Sequence, residues 1–263
     1  MDFGINGRRA LLAGASAGMG RQCAIALARE GADLHISART ESRLLATAEE
    51  IARTTGARVV PVVADHSTAA GRETLLAACP EPEITVITSS PPRITEDPLA
   101  IESAEWAQAI DTGFLGPLEL MREVVGGMKE RGFGRIVNIA TIGVKSGLDQ
   151  RVLSGAPKAA LVNYAASIAR PMSRFNIAIN TILPGMFETP GMKKMFIDLA
   201  EKNGTTYAAE YDNWRLGTQG NATGRFGDPE DVGALCAFLC SRYASYIVGQ
   251  SIVIDGGKVR TVF

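Results

Sequence analysis

The sequence predicts an α/β fold: a single doubly wound domain with a parallel seven-stranded sheet and helices on both faces. Three observations predict it. Short apolar runs alternate with amphipathic stretches of helical spacing along the whole chain. The first apolar run ends in a glycine cluster that opens a helix. Neighbouring parallel strands need a crossover, which a helix supplies in the right-handed sense, so strands separated by helices cover both sheet faces.

Taken in order, residues 9–13 read as the first strand, short and apolar. Residues 21–29 carry Cys23, Ile25, Ala26 and Leu27 at helical spacing. A second strand covers 34–38, and a second helix covers 41–54 and stops at Gly56. Residues 58–64 are strand-like, but Pro61 argues against a hydrogen-bonded interior position there. Four more strands fall at 84–88, 135–140, 177–183 and 251–255. Helical patterns lie between them at about 67–78, 102–131, 154–175 and 228–241. No linker, repeat or low-complexity tract interrupts the chain, so residues 1–263 are expected to form one domain.

Only residues 185–227 show no clear strand or helix pattern. They hold seven glycines, Pro190, and the apolar side chains Met186, Phe187, Met192, Met195, Phe196 and Trp214, with Tyr207 and Tyr211. A stretch that long inside a compact domain is usually a lid or binding loop, and a substrate lid is expected here.

Composition excludes several classes. With 27 Lys+Arg against 28 Asp+Glu and a net charge of −1, the chain has no basic surplus for nucleic acid. An apolar fraction of 46% excludes disorder. No apolar stretch approaches a membrane span and the first residues form no signal-like run, so a cytoplasmic protein without membrane contact is expected. The four cysteines include Cys236 and Cys240 at helical spacing. Neither of the two histidines, His35 and His66, stands beside them, so no metal site is expected.

The glycine cluster runs Gly14-Ala15-Ser16-Ala17-Gly18-Met19-Gly20. Glycine permits the turn, lets backbone approach a pyrophosphate and lets the helix pack on the strand. Free N–H groups and the helix dipole then favour phosphate, which points to a dinucleotide. Arg39, just past the second strand, suits the 2′-phosphate of NADP in preference to NAD, with Arg43 one turn on. As a plain alternative, Arg39 is a solvated residue at a helix start. Asp65, after the third strand, can accept from an adenine amino group or cap a helix.

These stretches, together with several more, resemble the short-chain dehydrogenase/reductase family. The resemblance runs through Gly134-Arg135-Ile136-Val137-Asn138-Ile139 and Asn180-Thr181-Ile182-Leu183-Pro184-Gly185 with Thr189. It continues in Gly224-Arg225-Phe226-Gly227-Asp228-Pro229-Glu230-Asp231-Val232, Val248-Gly249-Gln250 and Asp255-Gly256-Gly257. It implies a single Rossmann-type domain, assembly as a homodimer or homotetramer, and a catalytic Asn, Ser and Tyr-x-x-x-Lys. Lys158 is in place, but Ser154 stands four residues before it, where the resemblance implies Tyr. Thr141 stands for the Ser, Asp111 for the Asn, and Ser89-Ser90-Pro91-Pro92 for Asn-Asn-Ala-Gly.

The expected catalytic residues are therefore Asp111, Thr141, Ser154 and Lys158. The expected cofactor residues are Gly14, Ser16, Gly18, Met19, Gly20, Arg39, Asp65, Ser89, Lys158, Pro184, Gly185 and Thr189. No tyrosine precedes Tyr164, and of the later ones Tyr207 and Tyr211 belong to the lid and could swing in. The implied activity is an NADP-dependent oxidoreductase for a carbonyl/alcohol pair with an altered site. Two alternatives stand beside it: a non-catalytic sensor or partner subunit, and a non-redox lyase or cyclase using Asp111 or Asp149. The Met-rich lid suits a small-molecule substrate with an apolar body, and Lys193, Lys194 and Lys202 admit an anionic group, although the apolar side chains also fit plain packing. Leu118, Met121, Val125, Ala165, Ile168 and Ala169 fit either the family's assembly helices or the core.

Overall fold

In the computed structural model, which describes residues 2–217 and 220–260, strand and helix alternate from the first element. β1 (Arg9–Ala13), β2 (Asp33–Ala38) and β3 (Val59–Val63) are followed by α1 (Gly18–Arg29), α2 (Glu41–Thr55) and α3 (Ala69–Ala78). β4 (Ile84–Thr88) leads through α4 (Ser103–Ile110) and α5 (Gly116–Arg131) to β5 (Gly134–Ile139). Then come α6 (Val152–Met172), β6 (Ile177–Pro184), α7 (Pro190–Asn203), α8 (Tyr207–Leu216), α9 (Pro229–Cys240) and β7 (Ser251–Ile254).

The expected parallel sheet forms, in the order β3-β2-β1-β4-β5-β6-β7. The chain winds outward from β1 in one direction, then from β4 in the other. Beyond the carboxyl ends of β1 and β4 the connections diverge and open a crevice. Alternate strand residues feed the two faces. Leu12, Val86 and Val137 pack under α1, α2 and α9, whereas Leu11, Ile87 and Ile136 pack under α3, α5 and α6. Cys23, Cys236 and Cys240 lie fully buried between α1 and α9, as small apolar side chains. Among the described residues no helix is long and apolar enough to cross a membrane.

β3 is an edge strand, which is where Pro61 is tolerated. Its ladder to β2 runs from Leu34 N–H donating to Arg58 O (2.9 Å) to Ala64 N–H donating to Ala38 O (3.2 Å). Parallel ladders use alternate residues, so Pro61 falls on the outward-facing set and costs no bond.

Two elements differ from the sequence reading. The single helix expected over 102–131 is interrupted by a π turn at Asp111–Leu115. Close packing explains it. A Cβ on Gly116 would come within 2.6 Å of Ser67 Cα, and one on Gly113 within 3.0 Å of Pro157 Cβ. Residues 185–227 hold two helices, α7 and α8; Thr218 and Gln219 lie outside the described residues. Thr189 caps α7 by accepting from Met192 N–H, Thr206 caps α8 by accepting from Ala209 N–H, and Gly204 at φ +64° ends α7. Their apolar residues build a separate cluster around Phe196, whose ring meets those of Tyr207, Tyr211, Trp214 and Phe226 at centroid separations of 5.6–6.0 Å. A helix that packs onto its neighbour rather than onto the sheet leaves little sheet-facing period to read.

Candidate active site

The turn after β1 needs its glycines for space. A Cβ on Gly14 (φ +79°) would be driven into the Thr88 carbonyl oxygen, and one on Gly20 into the Gly14 carbonyl oxygen. Gly18 opens α1 after Ala17, which offers no capping side chain, and the first turn carries no acidic residue. Its backbone donors are left for an anion. Thr189 overhangs this turn, its methyl 3.6 Å from where a Gly18 Cβ would sit. Ser16 accepts through its carbonyl from Thr47 Oγ1 at 3.1 Å, which ties α2 to the loop, and Met19 packs against the core.

Arg39 and Asp65 stand at the ends of β2 and β3, with 3.9 Å between Arg39 Nη1 and Asp65 Oδ2. Burial alone would raise the Asp65 pKa, but hydrogen bonds from the Ser67 hydroxyl (2.7 Å) and N–H (3.0 Å) and the charge of Arg39 hold it below the usual value. The cap of α3 is Thr68, not Asp65. Ser89 follows directly on β4, and Pro184 closes β6. Gly185 donates to Ile254 O at 2.9 Å, and a Cβ there would lie 2.8 Å from Asp255 Cβ.

The expected catalytic side chains come from β5 and α6. Past the end of β5, Thr141 Oγ1 accepts from Gly143 N–H at 3.2 Å, capping a short 3-10 turn and leaving its own hydroxyl proton to donate elsewhere. α6 docks closely on that turn: a Gly155 Cβ would stand 3.3 Å from Gly143 O. Ser154 and Lys158, four apart on α6, share one helix face and are both buried. Lys158 Nζ donates to Ala140 O at 3.5 Å and, among the described residues, has no carboxylate within ion-pair distance. Burial first, and then the charge of Arg151, bring its pKa down to about 8.

The other candidates are exposed or already engaged. Asp111 is exposed at the start of the π turn, with no ion pair to Lys158, and Asp149 is exposed ahead of α6. Tyr211 donates its phenol to Glu188, and burial together with that bond pushes its pKa up to about 12. Tyr207 packs on Phe196. Lys194 pairs with Asp198 at 2.8 Å and Lys202 pairs with Glu96, all exposed. Two residues were missed from the sequence. Pro157, inside α6 and packed on Gly113, withdraws an N–H from Leu153 O beside Lys158. Arg151 precedes α6 with no acidic residue three or four positions away on either side, a signal available in the sequence.

Residues 14–258 match the family model described as Enoyl-(Acyl carrier protein) reductase. The chain belongs to the short-chain dehydrogenase/reductase family. It is an oxidoreductase of that family by descent. A 3-oxoacyl-(acyl-carrier-protein) reductase of Aquifex aeolicus is 28% identical over 98% of this chain and 99% of its own length. An oxidoreductase of Bacillus subtilis is 29% identical over the full length of both. Among solved family structures, L-sorbose reductase of Gluconobacter frateurii, complexed with NADPH and L-sorbose, superposes with a TM-score of 0.94 at 28% identity, covering both chains fully.

Proposed function

We propose that this chain is an NADP-dependent oxidoreductase acting on a carbonyl/alcohol pair, in which Lys158 rather than a tyrosine exchanges the proton. The observation that carries this reading is a buried Lys158 without a carboxylate partner among the described residues, its pKa brought to about 8, on the same helix face as Ser154. A lysine poised near neutrality is a competent general acid and base. A serine hydroxyl titrates far above a phenol, so Ser154 in the place of the family tyrosine is suited to hold an oxygen rather than to protonate it.

The chain fits the cofactor. The clash that any Cβ on Gly14 or Gly20 would meet and the uncapped first turn of α1 suit a pyrophosphate, while Arg39 suits a ribose 2′-phosphate. When bound, the nicotinamide supplies a hydride to the carbonyl carbon. The Thr141 and Ser154 hydroxyls hydrogen-bond the carbonyl oxygen, and the Lys158 ammonium delivers the proton as charge develops there. Residues 185–227 serve as the lid that shields the site from water.

Reduction needs the protonated lysine. Its kcat/KM, followed from about pH 6 to about pH 10, is expected to fall above pH 8, and alcohol oxidation to rise there. Lys158→Arg keeps the charge but cannot release a proton, so it is expected to lose about 10²- to 10⁴-fold in rate and to remove that limb. An unchanged limb in Lys158→Arg refutes Lys158 as donor. NADPH binding with no turnover on any carbonyl refutes the enzyme reading in favour of a binding protein.

A further inference from the structure

Eight arginines among the described residues are not exposed, and seven of them have an oxygen acceptor for the guanidinium. Carboxylates pair with Arg8, Arg9, Arg21, Arg72 and Arg215, and backbone carbonyls accept from Arg131 and Arg135. Arg135 shows what a structural arginine looks like in this fold. Fully buried, it donates to the carbonyls of Gly134, Asn176 and Ser241 at 2.8–3.1 Å and pins β5 to its surroundings.

Arg151 is the eighth. Among the described residues its guanidinium has one hydrogen-bond partner, the Met195 sulphur at 3.6 Å. A thioether is a weak acceptor, so this half-buried guanidinium keeps most of its donors free for an anionic oxygen. Its position adds to this, because its charge acts on Lys158. Among the described residues no carboxylate forms an ion pair with either cation.

Their placement gives the pair a direction. Ser154 and Lys158 share one face at the start of α6, and Arg151 stands at the cap position just before it, outside the helical backbone at φ −124° and ψ 22°. The contact with Met195 puts the guanidinium between α6 and α7, at the junction with the lid. The lid lysines are a poorer anion site: Lys193 is exposed, and Lys194 and Lys202 are already paired.

We propose that Arg151 recognises an oxyanion on the substrate, the carboxylate of a short oxo acid, and holds it beside the carbonyl that Ser154 and Lys158 address. This rests on the reading of that face as a carbonyl site. An anion placed there also screens Lys158 from Arg151 and keeps the ammonium protonated for transfer.

Calorimetric binding of pyruvate, levulinate and para-formylbenzoate, each beside its methyl ester, tests this on the full chain with and without NADPH. At least one acid is expected to bind roughly tenfold tighter than its ester, and Arg151→Gln is expected to erase that preference while Arg151→Lys keeps part of it. NADPH binding, measured separately, is expected to be the same in all three proteins and serves as the check on folding. Acids that bind no better than esters, or a preference that survives in Arg151→Gln, overturn the assignment. Failure of NADPH to bind the unaltered chain would instead refute the oxidoreductase reading, while the acid-to-ester ratio on the protein alone still reports on Arg151.

Discussion

His66 is buried at the end of β3, faced by Asp65, Arg39 and Arg72, and its Nε2 has no hydrogen-bond partner among the described residues. Burial lowers its pKa from 6.5 to about 4, with the arginines acting in the same direction and Asp65 against them. The unfolded chain therefore takes up this proton first as the pH falls. The folded state is expected to lose stability between pH 6.5 and about 4, with the full contribution present above that window. The loss is roughly 3 kcal/mol when the window has been crossed. Urea midpoints for the unaltered chain and His66→Leu should converge in slope at neutral pH and diverge toward pH 4, the variant falling less. Parallel curves would show that His66 does not carry this part of the acid sensitivity.

At the scale of elements, α7 and α8 share a cluster that the sheet does not. Phe196 is fully buried at its centre, against four aromatic rings. Phe196→Ala is expected to cost the cluster about 3–5 kcal/mol, as truncation of a buried ring does. That loss should fall on residues 190–216 and not on β1 to β6. Hydrogen exchange of α7 and α8 should accelerate strongly while the thermal midpoint of the sheet moves little. An equal loss of protection in β5 and β6 would show the cluster to be continuous with the main core. These helices also mark where sequence reading stopped. The caps Thr189-Pro190, Thr206 and Gly204 went unread, and the apolar residues between them follow a neighbour absent from any one-dimensional pattern. The π turn was hidden for the same reason. Gly113 and Gly116 are required by contacts with Pro157 and Ser67, which lie 44 and 49 residues away in the chain.

For the molecule as a whole, the architecture was legible because it repeats. Each buried strand is a short apolar run, each crossover has a helical period, and the glycines after β1 announce their turn. The candidate site was legible as far as its motifs reach: Gly18 lies under Thr189, and Ser154 and Lys158 share one face of α6. It was not legible where charge balance decides. That Arg151 lacks an oxygen partner among the described residues, and that Lys194 has one, follows only from which side chains fold against which.

Pro61 has a consequence beyond the molecule it belongs to. A parallel sheet of this kind ends in a ribbon of backbone that a second copy could extend, and Val63 beside it is exposed and apolar. With no N–H at its centre, that ribbon offers no continuous template for growth. Pro61→Val should leave monomer stability nearly unchanged, since no ladder bond is involved, yet raise light scattering on mild heating of concentrated solutions. Scattering no greater than that of the unaltered chain would assign the protection elsewhere. One imino acid at that border thereby bears on how the protein behaves in crowded solution, a property that the inner strands do not touch.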